Sequence, residues 1–360
     1  MQNDIRTRAR RPYAATRRAA VGGTVAAALL SLAETRRPAA AKKKKQGCSF
    51  TTDTIAKTMT LTKSCTTTKS VQVPGGFTLD GGGFTITGKG NGKGIRGGIV
   101  VALNGQATIQ HLTVDGSLLT PVKGSTAGID SIAFFGNGNT LSATAIQGVG
   151  NNGNAIRTDS AGLAISHCTA SEGYSGLFVG GGAVTGTNFV VSQTTFGVGV
   201  QDGGSLDLNG GAIDPVTQTA ASAYGNGTSL TLDNVSVGGP PVVAVAVTNG
   251  ATATIKNSTI TTGNNGVTVD SSSQTPSTAT ITANTITLAA PVYGPSTGVH
   301  YGSTGGGSIG GNQISGFHDT SGGNRGYGIW AVPGSTVTIG SNTFPSPPGN
   351  DKNVLDERES

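Results

Sequence analysis

The chain has 360 residues, with 24 Lys and Arg against 18 Asp and Glu, and its formal charge is +6. That charge is concentrated at one end: residues 1–46 hold 12 of the basic side chains and two acidic ones, so the remainder carries 12 basic and 16 acidic (24 − 12 and 18 − 2). A mildly acidic body has no basic stripe for nucleic acid, and no apolar run is long enough for an ordinary transmembrane helix.

Residues 1–46 read as an export signal or basic disordered segment. An Arg-rich stretch precedes the apolar run 19–33, and Ala39-Ala40-Ala41 offers a small-residue cleavage site. Thr16-Arg17-Arg18 partly resembles a twin-arginine signal but lacks the large apolar residue after it. The alternative is a basic tail that stays attached. Next come Cys48 and Cys65, which bracket the stretch before the first repeat. A disulfide between them would staple a cap over the end of the domain, and such a bond persists in an oxidising compartment. The expected location is therefore extracellular or at the cell surface, with no stable membrane insertion after export.

Residues 47–345 carry one recurring pattern, an aliphatic residue with a second apolar residue five positions later. The pairs are Leu79/Phe84, Ile109/Val114, Leu141/Ile146, Ile165/Ala170, Val191/Phe196, Leu208/Ile213, Leu232/Val237, Ile255/Ile260, Ile281/Ile286, Ile309/Ile314 and Ile339/Phe344. Repetition at this interval indicates a solenoid. Alternation before each anchor is that of a strand, and the odd five-residue step requires a tight bend between two short strands. The residue three after the anchor is expected to point inward. This makes Cys168 a buried free thiol and stacks Asn284, Asn312 and Asn342 as an amide ladder. A third strand, written Gly-apolar-x-apolar, precedes most anchors, as in Gly266-Val267-Thr268-Val269 and Gly328-Ile329-Trp330-Ala331.

Over residues 75–345 this pattern resembles the right-handed parallel β-helix of the pectate-lyase-like superfamily. The expected fold is all-β, a single-stranded parallel β-helix of about eleven three-strand coils. A β-sandwich is the competing reading of short strands and Gly-rich turns, but its strands need not share one internal parity break. Residues 346–360 are expected to be a flexible tail.

The resemblance implies that carbohydrate lies along the face of the Gly-apolar-x-apolar strands. The outward column there is expected to be Val100, Asp130 or Ala133, Arg157, Phe178, Gly199, Tyr224 or Ser222, Ala246, Thr268, His300 and Trp330. At its C-terminal end, His300, Trp330 (the only Trp) and the turn carrying His318, Asp319 and Arg325 suit a sugar ring bearing a carboxylate. His318 oriented by Asp319, with Arg325 and His300 beside it, would be the catalytic group, and Trp330 would stack on substrate. A second candidate joins Arg157 and Phe178 to Glu172 and Tyr174, with Asp130 and Asp159 near by. No cofactor is expected. Ca²⁺ is the one cation this acidic cluster suggests, without a specific motif.

The paired adjacent aspartates and the Gly-His-Gly strand of related polysaccharide enzymes are absent. Gln201-Asp202-Gly203-Gly204 matches half of an aspartate motif, and one carboxylate cannot serve as both acid and base. The implied function is a secreted protein that binds acidic polysaccharide. If it is an enzyme, the resemblance points to a lyase, epimerase or glycoside hydrolase. The alternative is a non-catalytic cell-surface β-helix for glycan or protein adhesion, or a structural rod.

Overall fold

A five-residue step between two inward side chains closes a coil only if one residue between them turns left-handed. The computed structural model shows where. It describes residues 47–358 apart from 121–127, 150–152, 160–161, 240, 272–274, 291, 293, 324 and 347–348. The expected export signal lies outside the described residues. Two positions after most anchors the backbone has positive φ, from +46° at Ala143 through His111, His167, Asn188, Asn234, Asn257 and Ala283 to +71° at Gly210 and Gly311. The following residue then points inward. Each coil comprises a strand of a first sheet, such as Asn265–Asp270, one of a second, such as Ser277–Thr282, and one of a third, such as Thr285–Leu288.

The strands of successive coils pair in parallel, with Ile255 opposite Ile281 and Ile281 opposite Ile309. This is a right-handed parallel β-helix, and the sandwich reading falls with it. On the second sheet the registered inward positions are Met59, Leu79, Ile109, Leu141, Ile165, Gly186, Leu208, Leu232, Ile255, Ile281, Ile309 and Ile339. Twelve rungs therefore stand where eleven were expected. The core they enclose is aliphatic, and burying each such side chain contributes about 1.5–3 kcal/mol.

Two anchor pairs differ from the expectation. Gly186, not Val191, pairs with Ile165 and Leu208. Val191 is the second inward residue of that coil, between Ala170 and Ile213. Phe189, not Thr194, takes the inward bend position at 2% exposure, and Phe196 moves out to the first sheet opposite Ser175. Glycine hid the anchor from a hydrophobicity pattern, because the space its side chain would fill belongs to a neighbour: a Cβ on Gly186 would lie 2.5 Å from Leu208 Cδ2. In the first full coil, Ile86 rather than Phe84 packs inward, opposite Val114. The glycine-rich bend at Gly81, Gly82 and Gly83 lengthens the step to seven residues and leaves Phe84 38% exposed.

At the N-terminal end, Phe50–Asp53 pairs antiparallel with Thr58–Leu61 and covers the first coil. Cys48 and Cys65 form a disulfide there, with Cα atoms 5.1 Å apart. Cys168 is a free, fully buried thiol whose Sγ–H donates to the Ser166 carbonyl, and burial pushes its pKa up. Residues 352–356 of the expected flexible tail form instead the strand Lys352–Asp356, parallel to Gly326–Ala331. Asn350 and Asp351 make this possible by satisfying backbone groups of the preceding coil. Asn350 accepts from the Phe317 N–H and donates to the Ile314 carbonyl.

The amide ladder is present. Asn284 Nδ2 donates to Asn312 Oδ1 at 3.0 Å, and Asn312 Nδ2 to Asn342 Oδ1 at 2.9 Å. Each amide also caps the bend, since Asn312 Oδ1 accepts from the Asn284 backbone N–H and Asn312 Nδ2 donates to the Ile281 carbonyl. Asn312 is fully buried, so Asn312→Ala should strand these groups and cost about 3 kcal/mol in urea unfolding. Asn342→Ala, at the half-exposed end of the ladder, should cost about 1 kcal/mol.

Candidate functional site

Because inward positions are filled with aliphatic side chains, chemistry is confined to the outer faces. On the first sheet the register sets the central outward column as Gln72, Val101, Ala133, Arg157, Phe178, Gly199, Ser222, Ala246, Thr268, His300, Trp330 and Leu355. Val101 replaces the expected Val100, which points into the core opposite Ile132. Ala133 and Ser222 hold the two positions left open between alternatives, while Asp130 pairs with Gly98 at the strand entrance and Tyr224 falls in a flanking column opposite Gln201. Neighbours in a column lie about 4.8 Å apart.

In the middle of this face, small side chains at Gly199 and Ser222 form the floor of a cleft of about 170 Å³. Tyr174, Phe178, Phe196 and Tyr224 wall it, and Asn154 and Gln201 also line it. A Cβ at Gly199 would already stand 3.3 Å from Ser222 Oγ. Tyr174 emerges from the corner between the third and first sheets, where Glu172 is left-handed at φ +52°, and packs on Phe196 with ring centroids 5.0 Å apart. Tyr174 and Tyr224 remain about half exposed. Glu172 does not join the cleft and accepts a hydrogen bond from Gln147 at 2.8 Å.

Arg157 stands outside the cleft, one rung before Phe178 in the column. Its guanidinium carbon lies 5.4 Å from the Phe178 ring centroid, its Nε donates to Asp159 at 2.8 Å, and Asp130 is 4.0 Å away. Asp130 is 4% exposed, and its Oδ1 accepts from the backbone N–H and the side-chain amide of Asn154. Burial pushes its pKa up to about 6, only partly opposed by Asn154 and Arg157. Among the described residues, no three His, Cys, Asp or Glu side chains group as metal ligands.

The C-terminal candidates separate into two clusters that no hydrogen bond, ion pair or ring contact joins among the described residues. His300 and Trp330 are neighbours as expected, with centroids 4.7 Å apart, and Tyr327 adds a ring 5.4 Å from Trp330. The indole N–H donates to Glu357 at 3.0 Å. Burial lowers the His300 pKa, partly offset by Asp270. In the entering turn, His318 is not oriented by Asp319. Its Nδ1 pairs with Asp351, whose other oxygen accepts from the Asp319 and Gly326 backbone N–H groups. Asp319 is 1% exposed and accepts from Ser321, Gly294 and Arg325 Nε. The Ser321 side-chain hydrogen bond and the Arg325 guanidinium hold its carboxyl far below the usual range. Arg325 is thus already paired with a carboxylate.

Sequence reasoning missed Asn154, Phe196 and Asp351 as outward or anchoring groups, and it set Gln201 aside with the incomplete aspartate motif. Phe196 was recoverable only by recognising Gly186 as the missing anchor. Asp351 carried no signal, since the contact it makes spans 33 residues.

A sequence profile described as a right-handed β-helix region matches residues 219–346. Comparison with curated protein sequences gives no match. Among solved structures, the chain is similar to the Dettilon tailspike protein, with 13% identity, a TM-score of 0.46, and coverage of 79% of this chain and 61% of that one. It is also similar to the A-module of the Azotobacter vinelandii mannuronan C-5 epimerase AlgE4, with 16% identity, a TM-score of 0.43, and coverage of 83% and 86%. The profile and the parallel register of successive coils both describe a right-handed β-helix repeat fold. The chain spans less than two thirds of the tailspike chain it matches.

The buried Asp130 makes a test of the site's electrostatics. An acid whose folded pKa is raised from 3.8 to about 6 holds its proton more tightly when folded. Its stabilising contribution is full below pH 3.8 and is lost as pH rises through about 6, which amounts to about 3 kcal/mol. Asp130→Asn keeps an acceptor for Asn154 and removes the titration. Urea unfolding across this range should show the wild type losing about that much stability relative to the variant.

Proposed function

We propose that this protein is an exported, carbohydrate-binding β-helix whose first sheet is the binding face. The observation that carries the reading is the cleft walled by Tyr174, Phe178, Phe196 and Tyr224 over a floor of Gly199 and Ser222. Aromatic faces beside a small-residue floor take the C–H face of a sugar ring, and Tyr174 and Tyr224 leave about half of their surface open for it. The His300, Tyr327 and Trp330 rings supply a second stacking surface further along the same column.

The reading stops at binding, without turnover. His318 is committed to Asp351, and Asp319 to Arg325, Ser321 and Gly294. Neither residue lines the aromatic cleft. Export is supported by the disulfide between Cys48 and Cys65, a bond suited to an oxidising compartment. Among the described residues no helix is long and apolar enough to cross a membrane.

Binding of the full chain to a panel of soluble polysaccharides, followed by affinity electrophoresis, tests this reading. Phe178→Ala and Tyr174→Ala should each weaken retardation roughly tenfold or more, since each removes a stacking surface worth about 1–3 kcal/mol. Trp330→Ala should weaken binding of long chains more than of short ones, because it lies six rungs from Phe178 along the column. Retardation that survives all three changes places any glycan elsewhere. Unsaturated or otherwise shortened products on prolonged incubation would refute the restriction to binding.

A further inference from the structure

Two side-chain amides line the cleft, and each commits its N–H end to a carboxylate behind it. Asn154 Nδ2 donates to Asp130 Oδ1 at 2.8 Å, and Gln201 Nε2 donates to Asp202 Oδ2 at 2.8 Å. An ionised carboxylate only accepts, so it fixes which end of each amide faces it. The carbonyl oxygens of Asn154 and Gln201 have no donor among the described residues. They stand at diagonal corners of the cleft, Asn154 at the entering end of its strand and Gln201 at the leaving end of the strand two rungs on. The cleft thus offers aromatic faces and hydrogen-bond acceptors, and its ligand must present C–H faces and donors.

Charge narrows the ligand further. No Lys, Arg, Asp or Glu lines the cleft itself. Around its rim stand three carboxylates, Asp130, Asp159 and Asp202, against one guanidinium, Arg157, which already donates to Asp159 at 2.8 Å. A carboxylate on the ligand would meet two carbonyl dipoles pointing their negative ends at it, with negative charge behind each.

We propose, resting on the glycan-binding reading above, that this cleft selects neutral pyranose units, hydroxymethyl at C6, over the corresponding uronates. Asn154 and Gln201 accept hydrogen bonds from ring hydroxyls, and Phe178, Phe196, Tyr174 and Tyr224 pack against the ring faces. Asp130 and Asp202 act as positioning residues that hold the two amides carbonyl-outward and repel acidic sugars.

The test uses matched probes: polygalacturonate, mannuronan and glucuronan, and each of these after reduction of its carboxylates to hydroxymethyl groups. Linkage and length are then constant within each pair and only the charge differs. At least one reduced polymer should bind the full-length protein ten times or more tightly than its parent acid. Gln201→Ala, at a partly exposed side chain whose loss leaves the core intact, should weaken that binding about tenfold. Asp202→Asn keeps an acceptor and tolerates the left-handed backbone at this position, φ +56°. It removes the charge behind Gln201 and should narrow the preference for the reduced form over its parent acid severalfold. Equal or tighter binding of a parent acid overturns the selectivity while leaving the glycan-binding reading intact. Binding of a reduced polymer that is indifferent to Gln201→Ala and Phe178→Ala overturns the assignment to this cleft. Failure of every probe to bind overturns both.

Discussion

One left-handed residue per coil sets the rest of this architecture. Positive φ between the second and third sheets lets two inward side chains sit five residues apart, and Asn, Ala, His and Gly all hold that position. Placed between aliphatic pairs, it turns the chain through the same corner again and again, so the strands of successive coils come into parallel register. A bend without this turn would invert the parity of the following strand and put its aliphatic residues in water. Where the corner is polar and buried, stacked amides satisfy it. In Asn284, Asn312 and Asn342 the residues that cap one bend also hydrogen-bond to the next.

A coil closed in this way leaves a thin core that aliphatic side chains fill, and function moves to the outer columns. There the interval between neighbours is set by strand spacing, about 4.8 Å, and surface shape follows from side-chain size alone. Arg157 and Phe178 stand high, Gly199 and Ser222 lie low, and the aromatic flanks of the adjacent columns turn that drop into a cleft. The same geometry explains why the Asp130 pKa is raised. It is buried at the strand entrance, and the Asn154 hydrogen bonds and a guanidinium 4.0 Å away offset that burial only in part.

The polar cluster near the C-terminus has a different task. Asp351 accepts from His318 and two backbone N–H groups, Asn350 accepts and donates across the previous coil, and Asp319 gathers the turn around itself. Together they fasten Lys352–Asp356 as the last strand of the first sheet, and Glu357 takes the Trp330 N–H beyond it. Histidine, aspartate and arginine within a few residues of one another are the ingredients of proton transfer, yet here their hydrogen-bonding capacity closes the end of a solenoid.

The β-helix, its bend, the disulfide pair and the amide ladder were all legible in the chain, because each depends on interactions that recur at fixed spacing or between neighbouring coils. Hydrophobic periodicity failed where glycine replaced an anchor, at Gly186, and where glycines lengthened a bend, before Ile86. The site was legible only in part. His300 beside Trp330 and Arg157 beside Phe178 followed from column spacing. Phe196, Gln201 and Tyr224 needed the true register, because a five-residue slip moves a side chain between the core and the surface. The partners of His318 and Asn154 were decided by tertiary structure alone. Hydrogen-bonding groups 33 and 24 residues apart in the chain meet only after the coils have stacked, and no local pattern records which acceptor each donor will find.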